Sequence, residues 1–192
     1  MKKTDLFKDR RGFFSKILIA GTGSLAFLSL SGCNSTGTNS NAAQLTDEQK
    51  DTIFYIYQEE KVARDVYRTL GDAYPDENTF AYIQLSEERH IDVVGKLCLK
   101  YGIDISAVNL EATGEFVLPE LQVLYDQLVA LGLESLPAAL QVGIDIEELD
   151  IKDLEEAAVG MPSDVVRVFE NIKEGSVNHL EAFTYALSQV TP

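Results

Sequence analysis

The sequence predicts an all-α fold: a bundle of four long helices, with a long crossover containing an extra short helix between the second and the third. Three observations lead there. Apolar residues recur at three- and four-residue spacing along four long stretches. Capping and stop signals fall at the ends of those stretches. No segment of useful length alternates apolar and polar residues as a strand would, and no solenoid-type repeat is present.

Residues 1–32 are set aside before the helices are placed. They read as an export signal, with a basic start, an apolar run from Ile17 to Leu30 and small residues at the end. The run is short for a membrane span. Arg10 and Arg11, followed by Gly12, Phe13, Phe14 and Lys16, resemble a twin-arginine signal. Leu30-Ser31-Gly32-Cys33 resembles the box at which a bacterial or archaeal lipoprotein is cleaved and lipidated on its cysteine. The expected anchor is therefore lipid on Cys33, holding the protein to a membrane of the cell envelope outside the cytoplasm. Residues 33–45 are small and polar and read as a flexible tether. The folded domain is expected over 46–192, long enough for one good-sized core.

The first long helix opens at Thr46, with Gln49 three residues on to complete a capping box. It stops between Gly71 and Pro75. The second starts near Asn78 or Thr79 and ends at Tyr101-Gly102. The short helix has Pro119 near its first turn and Gly132 just past its end. The third long helix follows Ser135 and runs to Gly160; the fourth is capped by Ser163 and reaches about Gln189. The crossover lets the second and third long helices run parallel.

Charge excludes some partners. The first 32 residues carry six basic side chains against two acidic ones, so their removal takes the chain from −15 to about −19. Such a surface repels nucleic acid and anionic membranes. With Cys33 lipidated, Cys98 has no partner, and its apolar surroundings make it an inert core residue. No phosphate loop and no Ser-His-Asp arrangement points to a hydrolase.

The inner stripes carry the chemistry. They read Ile53, Ile56 or Tyr57, Glu60, Ala63, Tyr67, Leu70 on the first helix, and Phe80, Ile83, Glu87, His90, Val94, Leu97 on the second. They read Leu136, Leu140, Gly143, Glu147, Asp150, Leu154 on the third, and Val168, Ile172, Ser176, His179, Phe183, Leu187 on the fourth. Each stripe is apolar at its ends and polar at its middle. Both histidines of the chain fall there. Buried carboxylates without compensation cost several kcal/mol per charge or must be protonated. A pair of divalent cations removes that cost, with carboxylates bridging and imidazoles supplying neutral nitrogens. The flanking Glu59, Glu88, Glu170 and Glu174 read as solvated-face charges. Gly143 and Gly175 sit four residues before Glu147 and His179; a glycine there makes room for a metal pair or for a bulky residue of the next helix.

The phrases "EEKVARDVY", "SEERH", "PELQVLYDQLV", "VGIDIEELDIKDLEEA" and "NHLEAF" together resemble an uncharacterised family of the ferritin-like superfamily, related to the rubrerythrins, over residues 50–188. Glu60, Ala63 and Tyr67 keep the rubrerythrin spacing Glu-x-x-Ala-x-x-x-Tyr. The resemblance implies a ferritin-like four-helix bundle. It makes Glu60, Glu87, His90, Glu147 and His179 the metal ligands of a dinuclear centre, with iron the first expectation and manganese or zinc the alternatives. Ser176 stands where the second Glu-x-x-His would have its glutamate. Asp150 or Glu148 replaces that carboxylate, or water fills its place, or the centre holds one metal or two of unequal affinity. Three functions follow. The first is a dinuclear oxidoreductase acting on oxygen or peroxide, with a separate electron donor because the chain has no four-cysteine rubredoxin-type iron site. The second is a metal-binding or storage protein without turnover; the third is a structural lipoprotein with a polar core. Homo-oligomer formation stays open.

Overall fold

The structure, a computed structural model, describes residues 44–190. The expected signal 1–32, Cys33 and all but the last two residues of the tether lie outside the described residues. Five helices make up the fold, and no strand is present among the described residues: α1 Asp47–Ala73, α2 Asn78–Lys100, α3 Pro119–Gly132, α4 Leu136–Ala157 and α5 Ser163–Val190. None is long and apolar enough to cross a membrane.

Local chemistry accounts for most helix ends. Thr46 accepts from the Gln49 amide, and the Gln49 side chain returns the bond to the Thr46 N–H. Ser135 caps α4 through the Ala138 amide, with Pro in the first turn. Two expected caps shift. α2 is capped by Glu77, whose carboxylate accepts from the Thr79 amide. In α5, Ser163 lies inside the first turn, and the Pro162 carbonyl accepts the first helical bond from Val166 N–H. Gly160, at φ +73°, turns the chain between α4 and α5. Leu45, expected in the tether, is buried in the core.

Contacts at both ends of each pair fix the direction of the helices. Gly71 meets Phe80 and Gly95 meets Tyr57, so α1 and α2 are antiparallel. Gly143 meets Phe183 and Asp150 bonds Ser176, so α4 and α5 are antiparallel. Gln49 Nε2 donates to the Gly160 carbonyl at 2.8 Å and Tyr67 reaches Glu147, which opposes α1 and α4. Lys100 pairs with Asp164 while Phe80 packs on Phe183, which opposes α2 and α5. α2 and α4 therefore run parallel, joined by the crossover.

α3 packs on both α1 and α4, burying Leu121, Leu124 and Leu128. The irregular part of the crossover lies over the outer face of α1, where Gln58 Oε1 accepts from the Val117 and Leu118 amides. α1 is thus buried continuously from Tyr55 to Tyr67. Its sequence reads as one-sided, but crossover and core cover opposite faces. Glu59, expected on a solvated face, is consequently buried, whereas Glu170 and Glu174 are exposed and Glu88 pairs with Arg68. On α5 the inner stripe begins at Val165 and Phe169 rather than Val168. Cys98 is buried and free, its thiol pushed up to about 12 by burial.

Candidate metal centre

α1 places Glu60 one turn below Ala63 and two turns below Tyr67, all facing α2 and α4. α2 places Glu87 and His90 on one face, three residues apart, and α4 and α5 bring Glu147 and His179 from the opposite side. All five side chains are buried, Glu60 at 1 % exposure and both Glu87 and Glu147 at 2 %. They meet at the middle of the four long helices. Glu87 Oε2 lies 2.8 Å from His90 Nδ1, and Glu87 Oε1 lies 2.8 Å from His179 Nδ1. His90 Nδ1 is also 3.3 Å from Glu60 Oε2, and His179 Nδ1 is 3.6 Å from Glu147 Oε2. The imidazoles stack, with centroids 5.5 Å apart.

Two overlapping groups result: Glu60 with Glu87 and His90, and Glu87 with Glu147 and His179. Within each, three ligand atoms lie within 4.8 Å of one another. Glu87 belongs to both. The hydrogen bonds leave gaps. His90 directs its Nδ1 at Glu87, so neither oxygen of Glu60 has a hydrogen-bond partner. His179 Nδ1 is close to Glu87 but lies off the hydrogen-bonding direction. Buried acceptors left in this state cost about 1–3 kcal/mol each.

Electrostatics separates the acids. Burial pushes Glu60 up to about 7, against the pull of His90. Burial and the charge of Glu87 push Glu147 to about 7 as well. Glu87 also suffers burial, but its two imidazole neighbours outweigh that and hold it near 2. Burial alone would lower the imidazoles; the carboxylates around them raise His90 to about 11 and His179 to about 9. Without a cation, the centre is held by imidazolium–carboxylate pairs around Glu87.

The two further carboxylates named from sequence part company. Asp150 is buried, and Ser176 Oγ donates to its Oδ2 at 2.6 Å, leaving Oδ1 without a partner. Burial and then the charges of Glu60, Glu59 and Glu147 hold Asp150 well above the usual carboxylate range. Ser176 therefore occupies the position of the absent glutamate and anchors an aspartate from the facing helix. Glu148 is exposed: one residue beyond Glu147 rotates it about 100° away from the centre. Tyr67 was legible as a stripe residue and as the tyrosine of the Glu-x-x-Ala-x-x-x-Tyr spacing, but its partner was not. Its hydroxyl donates to Glu147 Oε1 at 2.6 Å, beneath the rings of Phe80 and Phe183.

The two mid-helix glycines serve the centre through neighbouring rings. A Cβ on Gly175 would stand 2.8 Å from His90 Nε2, and one on Gly143 would stand 2.6 Å from the Phe183 ring. Gly175 lets the His90 imidazole reach across α5, and Gly143 lets Phe183 close the centre from one end. Each glycine costs about 1 kcal/mol in a helix interior, which side chains at these positions would exceed by collision.

The chain is 38 % identical over 145 residues to Uncharacterized protein MJ0754 of Methanocaldococcus jannaschii, covering 75 % of this chain and 77 % of that one. A crystal structure titled as hypothetical protein MJ0754 from Methanococcus jannaschii superposes with a TM-score of 0.72 at 36 % identity, covering 81 % of this chain and 86 % of that chain. Residues 49–191, which include every residue of the centre, match the family described as Uncharacterized protein domain (DUF2202), and the chain belongs to that family.

Proposed function

We propose that this chain is an exported, lipid-anchored protein of the ferritin-like superfamily, related to the rubrerythrins. In this reading it holds two divalent cations, iron first, and works as an oxidoreductase on oxygen or peroxide. One observation carries the proposal: two three-ligand groups share the carboxylate of Glu87, as a bridging ligand between two cations would be shared. The parallel α2 and α4, linked by a crossover, support the superfamily.

The donor set fits. Glu60, Glu87, Glu147 and Asp150 carry four negative charges when ionised, which two divalent cations balance with both imidazoles neutral. Carboxylate and imidazole together suit iron, manganese and zinc. Glu60 and His90 would hold one cation and Glu147 and His179 the other, with Glu87 between them. An iron or manganese pair supplies electrons for reducing oxygen or peroxide, and a separate donor restores them.

The chain's own residues orient and enclose. Tyr67 fixes Glu147 by its hydroxyl, and Ser176 fixes Asp150. Phe80, Phe183 and Tyr67 exclude water from one end of the centre. His90 and His179, each paired through Nδ1 with Glu87, would become neutral nitrogen ligands on losing a proton.

Metal analysis of protein purified from its native host tests the centre, with about two cations per chain expected. His90→Ala loses most of the metal; Glu88→Ala, which removes only a partner of Arg68 on the half-exposed side of α2, keeps it. Metal-free wild type, or equal loss in the two variants, overturns the reading. Export is tested separately by a radioactive fatty acid, which marks wild type and not Cys33→Ala.

A further inference from the structure

On the other side of α1 and α2 from the metal centre, an open groove of about 480 Å³ runs between these helices and the crossover. Its floor contains Tyr57, which is 3 % exposed, and Arg64, which is 4 % exposed. The Tyr57 hydroxyl makes no hydrogen bond to protein among the described residues, although the ring is almost wholly enclosed. Arg64 is gripped at Nε by Asp65 and at Nη2 by Asp65 and the Leu110 carbonyl, which leaves Nη1 without a protein partner among the described residues. Gly95 on α2 opens the space in which the Tyr57 ring lies; a Cβ there would come 3.2 Å from Cε2 of that ring.

The walls are apolar: Ile91, Leu99, Ile105 and Leu110. Leu99 is 71 % exposed, a large aliphatic side chain held in water at the groove's edge. The rim is charge-balanced. Arg68 pairs with Glu88, and Lys96 with Asp92 at 2.6 Å. With Arg64 and Glu111, the groove has three cations against three anions, in a chain with 31 acids and 16 Lys or Arg. An anion repelled elsewhere on this surface finds no net repulsion here.

Tyr57 and Arg64 stand two turns apart on one face of α1, both lining the groove, with the Arg64 charge near enough to act on the Tyr57 phenol. A guanidinium edge and a phenol hydroxyl together receive one planar group with two acceptor oxygens. The single uncommitted edge of Arg64 matches one negative charge; a phosphate dianion would need more. The aliphatic walls require an apolar body behind that group, and the volume suits a small organic molecule. We propose that this groove is a binding site for a small organic monocarboxylate with an apolar body, its carboxylate received by Tyr57 and Arg64.

The site stands independently of the metal reading, since no residue of its floor belongs to the centre. Benzoate and hexanoate serve as probes, benzamide as the neutral control, and backbone amide shifts of the full chain as the readout. Benzoate at millimolar concentration is expected to shift the Gly95 and Leu99 amides saturably, with benzamide much weaker. Tyr57→Phe weakens benzoate about tenfold through the lost bond to a charged acceptor, and leaves the thermal midpoint unchanged because its hydroxyl bonds no protein group. Leu99→Asp, at an exposed position, weakens it through added negative charge. The proposal is overturned if neither carboxylate gives saturable shifts, if benzamide binds as well as benzoate, or if both variants bind as wild type does.

Discussion

α1 carries two buried polar clusters on opposite faces, and their difference shows what each is built for. Toward the crossover, Lys61 is fully buried and spends its three donors on Asp65 Oδ2, the Ala112 carbonyl and the Glu115 carbonyl, with its ammonium 4.6 Å above the Phe116 ring. Asp65 accepts from Lys61, from Gly114 N–H and from Arg64. Every charge there has a partner, with only the groove-side Nη1 of Arg64 left over, and the cluster's task is to pin the crossover onto the helix. Toward the core, Glu60 has two oxygens without a hydrogen bond, and carboxylates outnumber imidazoles. That cluster has unpartnered carboxylate oxygens that could hold a cation. Burial alone does not distinguish a structural network from a binding centre; the balance of charge and of donors to acceptors does.

Breaking the crossover-side cluster should have the larger effect. Asp65→Ala leaves Lys61 and Arg64 buried without their counter-ion and should cost about 3–5 kcal/mol of stability. Denaturant unfolding of metal-free protein at neutral pH measures it. A loss below about 1 kcal/mol would show that backbone carbonyls suffice for both cations, and the contrast between the faces would fail.

The core-side cluster should answer to pH. His90 and His179 are raised to about 11 and about 9, so the stability from their imidazolium pairs is full below about 6.5, the ordinary histidine value, and is lost as pH rises through 9 to 11. Glu87 is depressed to about 2, so its share is present above the ordinary carboxylate value and lost as pH falls through 2. A cation must displace both imidazole protons. Near neutral pH, filling the centre should release the two imidazole protons and, beyond them, those still held by Glu60, Glu147 and Asp150, so affinity should rise by at least roughly two decades per pH unit. Titration calorimetry in buffers of different ionisation enthalpy counts them; no release would mean that the imidazoles are not ligands.

The smallest expected effect has the opposite sign to the first. Glu60 is raised to about 7, so its ionisation costs stability as pH climbs from the ordinary carboxylate value, and that cost is complete above 7. Glu60→Gln removes it. Metal-free protein at pH 8 should gain about 1–2 kcal/mol, while cation affinity falls by at least about 10–100-fold, the scale found even for residues one step behind a ligand. A variant that loses stability without metal would place Glu60 among the structural charges.

The sequence by itself determined the helices and the candidate ligands. Helical side chains return to one face every three to four residues, so Glu60, Glu87, His90, Glu147 and His179 could be read from phase against Ile53, Ile83, Leu140 and Phe183. The Thr46 box and the Ser135 cap were equally local, because capping bonds span three residues. Tertiary structure decided what lies far apart in the chain. Lys61, Arg64 and Asp65 lie off the inner stripe of the first helix, and only the return of residues 110–116 buries them. Glu59 was misplaced for the same reason. Asp150 and Glu148 were equal substitutes for the missing glutamate until Ser176 met Asp150 across 26 residues and helix rotation turned Glu148 to water. Gly175 could not be assigned until the His90 ring arrived opposite it. Periodicity reports which residues share a face; which other segment comes to cover that face is set by packing between distant parts of the chain, and no local pattern contains it.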